Sequence, residues 1–269
     1  RMRYGLMLRE DGHVLDDGTV ARIGEDRYFL TTSTGHADQV LRHLEFCHQV
    51  LAPSLDVSIV PVTERWAQLA IAGPRSRELL AKIVDGFDLS TDNFPHLSVA
   101  DITVCGGLPA RLYRVSFSGE LGYEIGVPAD YGDALIRHLM REGEPLGLEP
   151  YGTEAMTVLR VEKGFPATGE INGQTTARDL GLERLLSTKK DYIGRALQQL
   201  PAFNEADRHV LVSFAPVNRN DVLRAGSHFL DLGAAPRIEN DLGYMTSAVY
   251  SPTFGHYIGL GLLKRGKER

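Results

Sequence analysis

The chain has 269 residues, 43% of them hydrophobic and 24% charged, enough for one large domain or two ordinary ones with real cores. Its formal net charge of -6 argues against nucleic acid as a partner, because phosphate binding wants a basic surface. No apolar run approaches the roughly 20 residues needed to span a bilayer, and two cysteines without metal-ligand spacing, Cys47 and Cys105, read as packing residues in a reduced, cytoplasmic compartment.

The chain opens Arg1-Met2-Arg3-Tyr4 and runs within a few residues into strand-like sequence, the start expected of a piece cut from something longer. Residues 4–8 and 19–32 read as strands, with Asp11-Gly12 supplying a turn between them. Residues 36–51 place Val40, Leu44, Cys47 and Leu51 on one helical face. Strand character returns at 57–62 and 66–72. Gly73-Pro74 then opens a helix, proline standing where its missing N–H costs nothing. Strands at 99–104 and 110–117 lead to the turn Ser118-Gly119-Glu120-Leu121-Gly122 and to a strand from Tyr123. A helix centred on Leu135 and Leu139 follows, then another over 152–164. After Pro201 the character shifts to β-like runs at 208–216, 244–250 and 256–263, separated by Gly, Asn, Asp and Pro. The sequence ends in a short basic tail, expected to be solvated.

Four features could carry chemistry. Asp16 and Asp17 are adjacent carboxylates; on extended backbone they point to opposite faces, so at most one can enter a given cleft. They read either as a solvated turn or as an acid set beside a nucleophilic amine. In the Gly-rich turn before Tyr123, two glycines bracket a glutamate, and Glu124 follows on the strand. That carboxylate is either a surface group on a hairpin or an acceptor of two parallel N–H bonds from a planar, amidine-like edge. Residues 159–164, Leu-Arg-Val-Glu-Lys-Gly, form an amphipathic helix end. Residues 251–255, Ser-Pro-Thr-Phe-Gly, form a turn between strands. The sequence has no G-x-G-x-x-G, Walker, H-E-x-x-H, C-x-x-C or G-x-S-x-G pattern, and His43 and His48 have the wrong spacing for a helical metal pair.

Taken in order, these features carry a resemblance. Tyr4 to Asp16-Asp17, A-G-P-R-S at 72–76, G-E-L-G-Y-E at 119–124, L-R-V-E-K-G at 159–164 and S-P-T-F-G at 251–255 resemble the glycine cleavage T protein, or aminomethyltransferase, family. The stretches at 44–50, 66–68 and 160–165 are most similar to its branch in the sarcosine oxidase alpha subunit. The resemblance implies an α+β fold of antiparallel sheets and packed helices. It implies a folate-binding body over 1–201, lacking an N-terminal part of the family fold, and a β-rich, barrel-like domain over 202–269. It implies tetrahydrofolate as cofactor, with no flavin or NAD site, and capture of a one-carbon unit as 5,10-methylenetetrahydrofolate. By the same resemblance Asp16 is the catalytic acid, Tyr4 lies beside the folate, Glu124 binds the pterin edge and Arg160 lies near the site. Phe117 stands where relatives often have tyrosine, so its ring can pack but cannot donate. The implied partners are the other sarcosine oxidase subunits and the rest of the alpha subunit, with self-association through exposed apolar surface. A stand-alone aminomethyltransferase and a non-catalytic folate-binding or docking module are the alternatives.

Overall fold

The computed structural model describes residues 1–268. They fall into two compact units: residues 1–4 with 18–152, and residues 5–17 with 153–268. The chain passes between them within its first two strands and again at 152–153. Among the described residues no helix is long and apolar enough to cross a membrane.

The first unit is built on the antiparallel sheet β4-β7-β6-β5, formed by β4 (Trp66–Ala72), β5 (Val99–Val104), β6 (Leu108–Tyr113) and β7 (Gly122–Pro128). Period-two alternation gives this sheet two unlike faces. Ile71, Ile102, Val104, Leu112, Tyr123, Ile125 and Val127 turn toward helices α2 (Ser76–Ile83) and α3 (Gly132–Gly143), where Leu79, Leu80, Ile83, Leu135 and Leu139 complete the main core. The alternate positions, including Gln68, Arg111, Tyr113 and Glu124, face the other way. There a smaller cluster of Met2, Ala21 and Tyr113, with Phe29 and Val99 against it, covers part of the sheet.

The expected strand over 19–32 is two strands. β1 (Met2–Leu8), β2 (Val14–Arg22) and β3 (Tyr28–Thr32) form a sheet in that order. The break at 23–27 is a polar turn. Ile23 N–H donates to Arg27 O at 2.9 Å, and the Arg22 guanidinium donates to Gly24 O and Glu25 O. Residues 57–62 form no strand. Pro61 has no N–H to offer a ladder, and Val57 and Val60 are exposed. The helix expected over 36–51 is α1 (Ala37–Phe46), which loosens into one π-type turn at Cys47–Leu51 and leaves Leu51 exposed. Cys105 is exposed rather than packed; it takes a left-handed φ of 55° in the turn after β5.

The second unit contains α4 (Thr153–Glu162) and the antiparallel sheet β8-β10-β9, formed by β8 (His209–Phe214), β9 (Gly243–Ser251) and β10 (His256–Lys264). Val161 of α4 packs on Ile258 and Leu260 of β10. A second cluster joins Leu8 and Val14 to Ile171 and Leu180. The compact unit that holds the β-rich segment also takes in Gly5–Asp17 and the chain from Thr153, and α4 packs on its sheet. Among the described residues β8, β9 and β10 form this three-stranded sheet, without closing into a barrel. The basic tail is only partly solvated: Lys264 pairs with His209 in the ladder and Gly266 is buried, while Arg269 lies outside the described residues.

Candidate functional site

Tyr4, Phe117 and Glu124 belong to the first unit; Asp16 and Arg160 belong to the second.

Tyr4 is half-buried on β1, and Phe117 is 40% exposed in the loop that leaves β6. Two glycines and a set of hydroxyl contacts shape the loop from Ser116 to Gly122. Gly119 takes a φ of 78°, and a Cβ on Gly122 would lie 2.6 Å from that of Ser116. The hydroxyls of Ser116 and Ser118 are 2.9 Å apart, and Ser76 Oγ donates to Leu121 O at 3.1 Å. This closed turn delivers the chain into β7 with Tyr123 turned to the core and Glu124 to the opposite face.

Glu124 is opposite Ala70 on β4 and Tyr113 on β6. Its carboxylate accepts a hydrogen bond from the Gln68 amide. Burial pushes its carboxyl above the usual carboxylate range, an effect the Gln68 hydrogen bond opposes. Tyr151 is also pushed up, by burial first and then by the charge of Glu124. Tyr113 is raised to about 12, chiefly by burial. Arg111, a cation on that face, is committed elsewhere. Its Nε donates to Asp101 at 2.6 Å, and its guanidinium lies 4.8 Å from the Phe29 ring centroid and 5.0 Å from that of Trp66. Glu124 is thus a desolvated carboxylate whose protein partner is a neutral amide, an arrangement suited to further N–H donors.

Asp16 is 1% exposed on β2, next to the buried Val14 and Leu15, whereas Asp17 is only half-buried. One of the two adjacent carboxylates is inside, as extended backbone requires.

Arg160 is 6% exposed and its guanidinium is spoken for. Nη1 donates to Glu170 at 2.9 Å and to Phe165 O at 3.2 Å, and Nη2 donates to Ser247 Oγ at 2.6 Å. Glu170 is 0% exposed. It also accepts from Ala167 N–H at 2.8 Å, from Ser247 Oγ at 2.7 Å and from Thr246 Oγ1. Adjacent residues on a regular strand face opposite ways. A bulge in the β9–β10 register, where Ser247 pairs with Leu260 and Met245 with Gly261, brings both hydroxyls to one carboxylate. The Ser-Pro-Thr-Phe-Gly turn is tied to the same helix: Ser251 Oγ donates to Glu162, and Gly255 N–H closes the turn on Ser251 O at 2.9 Å. Arg160 is built into the frame of α4 and β9.

A cavity of about 530 Å³ opens elsewhere in the second unit, among Leu186, Tyr192, Phe203, Arg178, Arg195 and Lys267; none of the five residues lines it. Its polar groups largely satisfy one another, as in the Tyr192–Gln198, Arg178–Asn204 and Lys267–Glu183 contacts.

Sequence reasoning did not single out Gln68 as a partner of Glu124, nor Glu170. The latter had one available signal: an arginine beside the apolar Val161 on the inner side of a helix needs a buried carboxylate.

Residues 1–190 match the model of the GCVT N-terminal domain. The chain belongs to that family. It is 47% identical over 271 residues to the sarcosine oxidase subunit alpha of Rhizobium meliloti, covering 100% of this chain and 27% of that protein. It is 41% identical to the corresponding subunit of Corynebacterium sp. strain P-1, covering 28% of it. The chain therefore spans about a quarter of the length of these relatives. The aminomethyltransferase of Streptomyces coelicolor is 33% identical, with 97% of this chain and 67% of that one covered. The glycine cleavage system aminomethyltransferase T of Bartonella henselae shares the fold, with a TM-score of 0.83 over 99% of this chain and 68% of that one, at 22% identity.

Proposed function

We propose that this chain is the tetrahydrofolate-binding, one-carbon-transfer module of a sarcosine oxidase alpha subunit. The observation that carries the reading is Glu124: a half-buried carboxylate whose neighbour is an amide, on the sheet face turned away from the main core. Such a group suits the adjacent N–H donors of a pterin, which are planar and parallel. The high identity to two sarcosine oxidase alpha subunits supports the choice of this branch over a stand-alone aminomethyltransferase.

Tetrahydrofolate supplies two nucleophilic amines, N5 and N10, that can be bridged by a single carbon. With formaldehyde as donor, two N–C bonds form, the C=O bond is lost and the oxygen leaves as water with the two amine hydrogens. The chain contributes orientation and electrostatics. Glu124 holds the pterin edge, Tyr4 and Phe117 supply ring surface, and Arg160 acts by fixing α4 against β9. Asp16, a buried carboxylate, balances the positive charge that develops at nitrogen as water departs. Flavin-dependent oxidation of the amine is assigned to other parts of the assembly.

In single-turnover mixing of formaldehyde with tetrahydrofolate, the full-length protein is expected to accelerate 5,10-methylenetetrahydrofolate formation well above the uncatalysed rate. Saturable folate binding without acceleration would instead mark the module as a binding or docking element.

A further inference from the structure

Gln68 lies on β4, 56 residues before Glu124, and the pairing of β4 with β7 sets it diagonally beside that residue. Because an ionised carboxylate only accepts hydrogen bonds, the Gln68 amide must present its NH2 to Glu124, which turns its own carbonyl away. Gly126, the direct partner of Gln68, has no Cβ, which leaves room for the Trp66 ring beside the amide. A Cβ there would lie 3.8 Å from Gln68 Oε1 and 3.1 Å from the Trp66 ring. The amide therefore occupies one side of the carboxylate and leaves the remaining lone pairs for a ligand.

We propose that Gln68 is the positioning residue for Glu124, holding one carboxylate oxygen and favouring the charged form that a pterin edge requires. The inference rests on the function proposed above and names a residue of that same site.

The surroundings of Glu124 give Gln68 this leverage. From β6 it is faced by Tyr113, which is neutral over the physiological range, and by Arg111, which is held by Asp101. From the segment before α4 it is faced by Tyr151, whose hydroxyl is likewise raised. β4 contributes Gln68 and no charge. The influences on its protonation are burial, which is the larger and disfavours the carboxylate, and the Gln68 hydrogen bond, which favours it. Deleting the amide leaves burial unopposed, so the pH at which Glu124 takes up a proton must rise.

The test is the pH profile of tetrahydrofolate affinity in the full-length protein, measured by calorimetry between about pH 5.5 and 8.5. Wild-type affinity is expected to hold at alkaline pH and fall as Glu124 is protonated. Gln68→Leu, at an exposed position, is expected to move this falling limb upward by about one pH unit, roughly a tenfold loss at a fixed acidic pH. Gln68→Glu is expected to move it at least as far, since two neighbouring carboxylates resist joint ionisation. Glu124→Gln should remove the limb altogether. If the Gln68→Leu profile superimposes on wild type while Glu124→Gln abolishes the limb, Gln68 has no such role and the folate reading stands. If Glu124→Gln binds folate like wild type, or wild type binds none, the folate reading itself fails.

Discussion

Glu170→Ala is expected to lose about 3–5 kcal/mol of folding stability, the range found when one partner of a buried ion pair is removed. The effect is large because three kinds of donor lose their acceptor together. The Arg160 guanidinium stays enclosed with its charge uncompensated, the Ser247 and Thr246 hydroxyls lose a shared oxygen, and the Ala167 N–H is orphaned. Glu170→Gln keeps the shape and one acceptor oxygen, so it should cost less than the alanine variant while still leaving the arginine without a counter-charge. Urea unfolding followed by circular dichroism measures both. A loss below about 1 kcal/mol for Glu170→Ala would show that the network is incidental. Because the network joins α4, the loop after it and the β9 bulge, its loss should also loosen the Ser251–Glu162 tie.

Asp16→Ala is expected to slow single-turnover methylene transfer by about a hundredfold or more while changing tetrahydrofolate affinity only a few-fold. The separation follows from when the charge is needed. In the proposed role the buried carboxylate acts through a medium of low effective dielectric on a positive charge that grows as the carbonyl oxygen leaves. An interaction present only at that stage alters the rate, not the ground-state binding. Asp16→Asn keeps volume but removes the charge, so it should resemble alanine in rate. Equal transfer rates in wild type and Asp16→Asn would remove Asp16 from the chemistry.

The strands and helices that the sequence made legible were those with clean periodicity between unambiguous stops. α3, with Leu135 and Leu139 inward, and β7, with Tyr123, Ile125 and Val127 inward, are examples. Errors arose where side chains rather than periodicity decide. Residues 19–32 read as one strand because Ile23 and Tyr28 continue the apolar pattern across a turn that Arg22 ties from its side chain. Residues 57–62 carry β-branched side chains, yet no neighbouring strand takes up their backbone groups. In the candidate site, the alternation along β7 places Glu124 off the core face. That Gln68 reaches it depends on a 56-residue pairing register that no local pattern encodes. Glu170 is the harder case: it sits in an irregular loop, and its burial follows from Arg160 and the β9 bulge together.

The central claim is that Glu124 anchors a folate. Calorimetric titration of tetrahydrofolate into full-length wild type and Glu124→Ala at neutral pH tests it most directly. Two charge-assisted hydrogen bonds at stake correspond to a loss of roughly a hundredfold in affinity. Saturable wild-type binding weakened to that extent by Glu124→Ala is the predicted result. Binding that is unchanged in the variant, or absent from wild type at millimolar folate, would contradict the account.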